Sequence, residues 1–110
     1  MKQIEIIELD NKLDDASLIS FLAEACPDEE MMLKSPLMNQ SVVVTPVKNM
    51  VCLQSAGLVP PLSEWMECDG AHIHCAANGK TTLFQVGDRF YSVKRFRGRT
   101  PIRINWSHVA

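Results

Sequence analysis

Four residues that can bind a metal ion lie close together in the second half of the chain: Cys68, His72, His74 and Cys75. Thiolate and imidazole groups are ligands that zinc prefers, so the residue types suit that metal. The spacing matches no common zinc motif, because no Cys-x2-Cys pair accompanies it. On a strand, His72 and His74 project from one face and Cys75 from the other. Cys68, His72 and His74 therefore remain candidate zinc ligands, while a plain strand with half-exposed histidines is the favoured interpretation.

The other chemistry-bearing residues do not indicate catalysis. A cysteine nucleophile needs a base within hydrogen-bond reach, and His74 and Cys75 point apart as neighbours on a strand. Glu64, Glu67 and Asp69 are more simply explained as a solvated acidic segment than as an acid/base pair. The five glycines are scattered and form no phosphate-binding loop. We therefore expect a protein that is not an enzyme and that has no cofactor.

The charge of the chain is divided by position. Residues 1–69 carry four Lys against twelve acidic side chains, a net charge of −8. Residues 70–110 carry seven Lys and Arg against Asp88 alone, a net charge of +6. Such asymmetry indicates either an anionic partner or two parts of one chain that neutralise each other. The sequence leaves both interpretations open.

The basic last third has the clearest signals of secondary structure. Asn78-Gly79 and Gly87-Asp88 are typical of two-residue hairpin loops of the primed-turn type. They predict three antiparallel strands, at about 72–77, 80–86 and 89–96. Residues 101–106 predict a fourth strand, with proline at its permitted first position.

Counting outward from these loops predicts which residues share a face. Ile73 lies opposite Phe84, and Phe84 lies opposite Tyr91, on the face that packs against helices. The reverse face mixes aromatic, imidazole, polar and basic groups: His72, His74, Leu83, Gln85, Phe90, Ser92, Lys94 and Phe96.

The composition of that reverse face suggests a partner. Lys and Arg bind phosphate groups, and exposed aromatic rings stack on single-stranded bases. The candidate residues for binding nucleic acid or another partner are Phe90, Lys94, Phe96, Arg97, Arg99 and Arg103. We therefore expect a non-enzymatic binding or regulatory module that contacts nucleic acid through this sheet. The alternative is a protein–protein interaction or self-association with no nucleic-acid role, in which the N-terminal strand or a second subunit covers the aromatic residues.

The acidic part of the chain predicts helices. Residues 2–9 alternate as an edge strand does, and a capping aspartate precedes a helix over about 15–25. Pro27, followed by three carboxylates, predicts a second short helix. Residues 46–56 predict a third helix that a glycine ends. Residues 41–44 form either a buried strand or an extended link.

Together these elements predict one α+β domain covering residues 1–110. Acidic N-terminal helices pack on a C-terminal antiparallel β-meander of three to four strands, with the N-terminal strand at the sheet edge. No apolar run reaches the ~18 residues that a membrane span requires, and the N-terminal residues lack the basic region and long apolar run of a signal peptide. We expect no membrane association, a cytoplasmic location and reduced cysteines instead of two disulfides.

Three helices followed by a hairpin also resemble the order of elements in winged-helix proteins. In that arrangement the third helix would read DNA. Its only basic residue is Lys48, so it is poorly suited to the major groove.

Overall fold

The computed structural model of the chain describes residues 4–9, 12–75 and 81–97. The elements along these residues are β1 (Glu5–Glu8), α1 (Asp15–Ala25), β2 (Met31–Ser35), β3 (Gln40–Pro46), α2 (Met50–Ser55), β4 (Met66–Cys68), β5 (Ala71–Cys75), β6 (Thr81–Val86) and β7 (Arg89–Arg97). Short 3-10 helices lie at Pro36–Met38 and at Leu62–Glu64. Neither of the described α-helices has the length and apolar character that crossing a bilayer requires.

The described strands form one mixed seven-stranded sheet in the order β1-β2-β3-β7-β6-β5-β4. β1 and β2 run parallel, and the other neighbouring pairs are antiparallel. The protein is α+β, and its N-terminal strand lies at the edge as predicted. The predicted architecture of several acidic helices on a three- to four-stranded meander is wrong. The meander is one half of a larger sheet, and the acidic part of the chain supplies the other half.

The segment that follows Pro27 forms strand β2 where the sequence predicts a second helix. A proline followed by three carboxylates satisfies the start of a helix locally. However, Met31, Met32 and Leu33 are consecutive apolar residues, and all three are buried. Successive residues of a strand point to opposite faces of the sheet, so a strand in a sheet that is covered on both faces can bury consecutive apolar residues. A short surface helix buries only one stripe of its residues. Burial between β1 and β3 therefore overrides the local helix signal.

The predicted third helix is too long at its start. The valine run is a strand, and β3 continues to Pro46, so α2 begins only at Met50. The predicted end is confirmed. Gly57 has a φ of +76°, and the next backbone N–H, that of Leu58, donates to the Leu53 carbonyl at 3.0 Å. A glycine in the left-handed region ends many helices in this way.

Helix α1 has the predicted boundaries and cap. The Asp14 side chain accepts a hydrogen bond from the Ser17 backbone N–H at 2.9 Å, which satisfies one of the free donors at the helix start. Leu18, Ile19 and Leu22 are buried on one stripe of the helix. This stripe is the surface that α1 presents to the sheet.

The register predicted for the C-terminal half is confirmed. Ile73 pairs with Phe84, and Phe84 pairs with Tyr91. Gly87-Asp88 forms a two-residue loop in which Gly87 has the positive φ, +66°, that a primed turn requires. Strand β4, which the sequence does not indicate, adds to β5. The predicted loop at Asn78-Gly79 and the predicted strand at 101–106 lie outside the described residues.

The sheet buries apolar residues on both of its faces. We call them the α1 face and the α2 face after the helix that covers each. The α1 face carries the larger core: Leu13, Leu18, Ile19, Leu22, Met31, Leu33, Val42, Val44, Ala71, Ile73, Phe84, Tyr91 and Val93. On the α2 face, Met50, Val59 and Trp65 pack against Leu83 and Phe90. Strand β7 contributes to both cores because its side chains alternate between the faces.

Candidate functional site

The candidate partner-binding residues lie on or beyond strand β7, and their exposure differs. Phe90 packs into the α2-face cluster, with its ring centroid 6.0 Å from that of Trp65 in an edge-to-face contact. Lys94 is exposed on the same face, and Phe96 is half-buried. Arg97 is the last residue of β7. Its side chain, together with Arg99 and Arg103, lies outside the described residues. Phe90, Lys94 and Phe96 therefore share one face of the sheet, on which Lys94 is exposed and both aromatic rings are half-buried.

Two basic residues of the last third contact acidic residues of the same chain. The Arg89 guanidinium lies 2.6 Å from the Asp28 carboxylate. The Arg95 guanidinium donates to the Asp15 carboxylate at 2.5 Å and to the Leu13 carbonyl at 2.6 Å. The positive charges of these two arginines are therefore balanced by acidic residues of the same chain.

The three candidate zinc ligands do not converge. Cys68 packs against the core of the α1 face. His74 lies on the α2 face with its ring centroid 5.8 Å from that of Trp65, and His72 shares that face because it is two residues away on β5. Across residues 4–9, 12–75 and 81–97, no three His, Cys, Asp or Glu side chains lie close enough together to hold a metal ion. Burial and the adjacent Asp69 carboxylate raise the pKa of the Cys68 thiol above its ordinary value, which favours the neutral thiol.

A cleft of about 320 Å³ opens at one end of the sheet, and we call it the end cleft. Three segments that are distant in sequence line it: the loop after α1, the end of β3 with the start of α2, and the turn and first residues of β7. The lining residues are Pro27, Asp28, Pro46, Val47, Lys48, Met50, Val51, Asp88, Arg89, Phe90 and Tyr91. Apolar side chains are contributed mainly by the segment from Pro46 to Val51. The charged side chains come from all three segments.

Contacts between the α1–β2 loop and β7 fix one wall of the end cleft. The hydrogen bond and positive charge of Arg89 hold the pKa of the Asp28 carboxyl below its ordinary value. Asp28 in turn raises the pKa of the Arg89 guanidinium. The Tyr91 hydroxyl donates to the Pro27 carbonyl at 3.3 Å, and burial raises the pKa of Tyr91. These groups hold their ordinary charge states near neutral pH, so the wall combines an ion pair with a neutral phenol.

Two further depressions, of about 230 and 430 Å³, adjoin the end cleft at the same end of the sheet. They share Asp28 as a wall and add acidic residues of the α1–β2 loop and of β1. The cleft and these depressions are lined by five carboxylates and two basic side chains: Glu5, Asp28, Glu29, Glu30, Asp88, Lys48 and Arg89. Glu30 accepts a hydrogen bond from the Thr45 hydroxyl at 2.9 Å. This end of the molecule is therefore predominantly acidic.

The sequence did not identify the end cleft. Asp28 and Arg89 are 61 residues apart, and no local pattern links residues at that separation. Val47 and Lys48 fall inside the predicted third helix, whereas the structure places them in the connection between β3 and α2. Prolines at 27 and 46 mark the ends of two of the lining segments. They indicate breaks in secondary structure and give no sign that the breaks meet.

The fold and the site thus define an α+β protein whose described strands form a mixed seven-stranded sheet. A cleft lined by charged and apolar side chains lies at one end of that sheet. No protein-family model, curated protein or solved structure matches this chain. Its function is therefore inferred from its own geometry.

Proposed function

We propose that this chain is a non-enzymatic protein-binding module whose end cleft accepts an apolar side chain from an extended segment of a partner. The observation that supports the proposal best is the end cleft itself. Its volume of about 320 Å³ lies at the lower limit of ligand sites, which range from roughly 300 to 1,000 Å³. A site of this size suits one or two side chains better than a large cofactor.

The exposure of Val51 supports the same function. Val51 lines the cleft, and its exposed fraction is 74%. It belongs to helix α2, whose other face packs on the sheet through the buried Met50. Exposed apolar surface within a polar rim is typical of sites that bind another molecule. A partner side chain in the cleft would shield Val51 and the other apolar residues of the segment from Pro46 to Val51 from water.

The charges around the cleft specify the chemistry of the partner. With five carboxylates against Lys48 and Arg89 around the cleft and its depressions, basic side chains next to the apolar anchor are favoured and acidic ones are disfavoured. The Asp28–Arg89 pair is exposed, with side-chain exposures of 75% and 44%. Exposed ion pairs contribute little net stability, so a charged partner can replace one member at low cost. The expected ligand is an extended segment with one Leu or Met flanked by Lys or Arg.

A panel of short unstructured peptides tests this function. Each peptide carries one central Leu flanked by Lys, by Ser or by Glu. We expect the Lys-flanked peptide to bind most tightly and to shift the backbone amide NMR signals of Val47, Met50 and Phe90. In the variant Val51→Arg, affinity should fall by at least about tenfold, because the added side chain obstructs the cleft and repels Lys.

Leu58→Arg is the matched control for that experiment. Leu58 has almost the same exposure as Val51, 73% against 74%, and does not line the end cleft. It should bind the Lys-flanked peptide like the unmodified protein. Absence of any peptide-induced shift in the cleft at millimolar concentration would reject the function, and so would equal losses in the two variants.

Nucleic-acid binding is the second candidate function, and one observation favours it. Lys94 is exposed on the α2 face, two residues from half-buried Phe96 on the same strand. Proteins that bind single-stranded nucleic acids use basic side chains to contact the phosphates and aromatic rings to stack on the bases. The use of Arg89 and Arg95 in internal ion pairs reduces the charge available, which makes this candidate the weaker one.

A salt titration of oligonucleotide binding tests the second candidate. We expect affinity for single-stranded DNA or RNA that falls steeply with salt. Arg97→Ala with Arg99→Ala should show a shallower salt dependence, because the slope scales with the number of phosphates that the protein neutralises. Lys48→Ala with Arg89→Ala removes two positive charges at the end cleft instead, and it should leave the slope nearly unchanged. No measurable affinity at low salt would eliminate this function.

A further inference from the structure

We propose that the partner segment that occupies the end cleft also adds a strand to the sheet, along the outer side of β1. This inference rests on the proposed function and specifies how the partner continues beyond its apolar anchor. The partner then contacts two adjoining surfaces, the end cleft through a side chain and β1 through its backbone. Main-chain hydrogen bonds to an added strand increase affinity beyond that of the anchor.

The outer side of β1 carries backbone groups that no described residue pairs with. β1 is the first strand in the sheet order, so within the described residues only its β2 side is paired. The Leu9 backbone N–H donates to the Lys34 carbonyl at 2.8 Å. Because backbone groups alternate between the two sides of a strand, Ile7 also faces β2, whereas Ile6 and Glu8 direct their N–H and C=O groups outward. These two residues can offer up to four hydrogen bonds to an added strand.

The end cleft leads to the start of β1. Glu5, the first residue of β1, lines one of the two depressions together with Asp28 and Met31. Asp28 also lines the end cleft, so the two concave surfaces adjoin. In the sheet order, β7 and β1 are separated by three strand spacings of about 4.8 Å each. A partner therefore needs roughly four extended residues between its anchor in the cleft and the outer side of β1.

Carboxylates along this path favour a basic spacer in the partner. The two depressions are lined by four acidic residues and one basic residue: Glu5, Asp28, Glu29, Glu30 and Lys48. Asp28 is balanced by Arg89, which leaves three carboxylates against one ammonium group along the depressions. Basic residues between the anchor and the added strand are therefore complementary to this surface.

The residues of β1 disfavour pairing between two copies of this chain. β1 consists of Glu5, Ile6, Ile7 and Glu8. In a fully overlapped antiparallel pair of two β1 strands, Glu5 of each copy would lie opposite Glu8 of the other, and like charges directly opposite are destabilising. A strand with neutral β-branched residues avoids this repulsion and can cover Ile6, whose exposed fraction is 53%. The occupant is therefore a segment of a different protein.

The direction of β1 determines the order of the parts of the partner. β1 begins at the end of the sheet that carries the end cleft and runs away from it. Antiparallel pairs are more stable per residue and more common than parallel ones, so the added strand is expected to run toward the cleft. In the sequence of the partner, the strand segment thus comes first, the basic spacer second and the Leu or Met anchor last.

Two peptides test this inference. The anchor peptide is the Lys-flanked Leu peptide, and the extended peptide places Thr-Val-Thr-Val and a four-residue spacer with two lysines before the same Leu. We expect the extended peptide to bind at least about tenfold more tightly. It should also slow hydrogen exchange at the Ile6 and Glu8 amides by at least about tenfold, because these amides become hydrogen-bonded. The anchor peptide should leave both amides unchanged.

Two variants at one position separate the backbone of β1 from its side chain. Ile6→Pro and Ile6→Ala both remove the isoleucine side chain, but only proline removes the outward N–H. Edge strands tolerate proline where the N–H does not bond to the neighbouring strand. Affinity for the extended peptide should fall at least about tenfold in Ile6→Pro and less than about threefold in Ile6→Ala. Both variants should bind the anchor peptide like the unmodified protein.

The results distinguish failure of this inference from failure of the proposed function. The extended peptide can bind no more tightly than the anchor peptide and leave exchange at Ile6 and Glu8 unchanged, while the signals of Val47 and Phe90 still shift. That result overturns the added strand and leaves the proposed function intact. Equal losses of affinity in Ile6→Pro and Ile6→Ala also overturn the added strand. Absence of shifts in the cleft with both peptides rejects the proposed function itself.

Discussion

Replacing Phe84 with Ala is expected to lower the free energy of unfolding by about 3–5 kcal/mol, the usual cost of removing a buried phenyl ring. Phe84 has an exposed fraction of 0% and lies at the centre of the α1 face, between Ile73 and Tyr91 on the neighbouring strands. The cavity left behind cannot close easily, because strands support the site on both sides. Chemical denaturation followed by tryptophan fluorescence measures the loss.

Phe96→Ala is the matched control, since it removes the same atoms from a half-buried position on the other face. We expect its cost to be less than half that of Phe84→Ala, because a partly exposed ring gains less from burial. Equal costs at the two positions would mean that the assignment of faces along β6 and β7 is incorrect. A cost below about 1 kcal/mol at Phe84 would contradict its place in the core.

Replacing Arg95 with Met is expected to cost about 1–2 kcal/mol of stability. This guanidinium joins β7 to the start of α1 through the Leu13 carbonyl and the Asp15 carboxylate. Hydrogen bonds from a charged donor contribute roughly 1.5–3 kcal/mol when buried. Partial solvent exposure, 34% for the Arg95 side chain and 45% for Asp15, reduces that value. Thermal and urea unfolding measure the change.

Two further variants separate the interaction from the substitution. Lys94→Met changes the adjacent, exposed residue on the opposite face and should alter stability by no more than about 0.5 kcal/mol. A double-mutant cycle of Arg95→Met with Asp15→Asn should give a positive coupling energy of about 0.5–1 kcal/mol. A coupling energy of zero would assign the effect of Arg95 entirely to the Leu13 carbonyl.

The parts of the fold that the sequence predicts correctly are those governed by short-range rules. The Gly87-Asp88 loop sets the register of β6 against β7, because a two-residue loop allows one alignment of the strands. Asp14 and the spacing of Leu18 and Leu22 specify α1 in the same local way. Each of these signals involves residues a few positions apart, and each agrees with the tertiary structure.

The incorrect predictions occur where long-range burial outweighs a local preference. Carboxylates after Pro27 favour a helix, yet the next residues occupy the inside of a sheet between β1 and β3. Pro46 is suited to a helix start, and it is also tolerated at the end of β3, because it lies beyond the last residue of β3 that pairs with β2. The choice depends on β7, whose Tyr91 pairs with Pro46 from 45 residues away in sequence. No rule that examines a window of sequence includes that partner.

The candidate site shows the same limit. The sequence correctly separated Cys75 from His72 and His74 by strand alternation, and it correctly placed Lys94 on the face opposite Tyr91. It could not identify the end cleft, because Asp28, Val51 and Arg89 meet only after three loops converge at one end of the sheet. The sequence therefore supplied the charge asymmetry, whereas the strand order determined where the charges lie.

The pairing of β3 with β7 at the centre of the sheet also has a consequence for protein synthesis. Residues 40–46 leave the ribosome well before residues 91–97, their partners on one side. During that interval the nascent chain can form β1-β2-β3, but Val42, Val43 and Val44 lie along an open edge. Apolar strands with unpaired backbone groups pair readily with other chains. Translation that stalls before Arg89 is therefore expected to release a fragment that aggregates. Pairing of β7 with β3 covers the open edge and so prevents this aggregation.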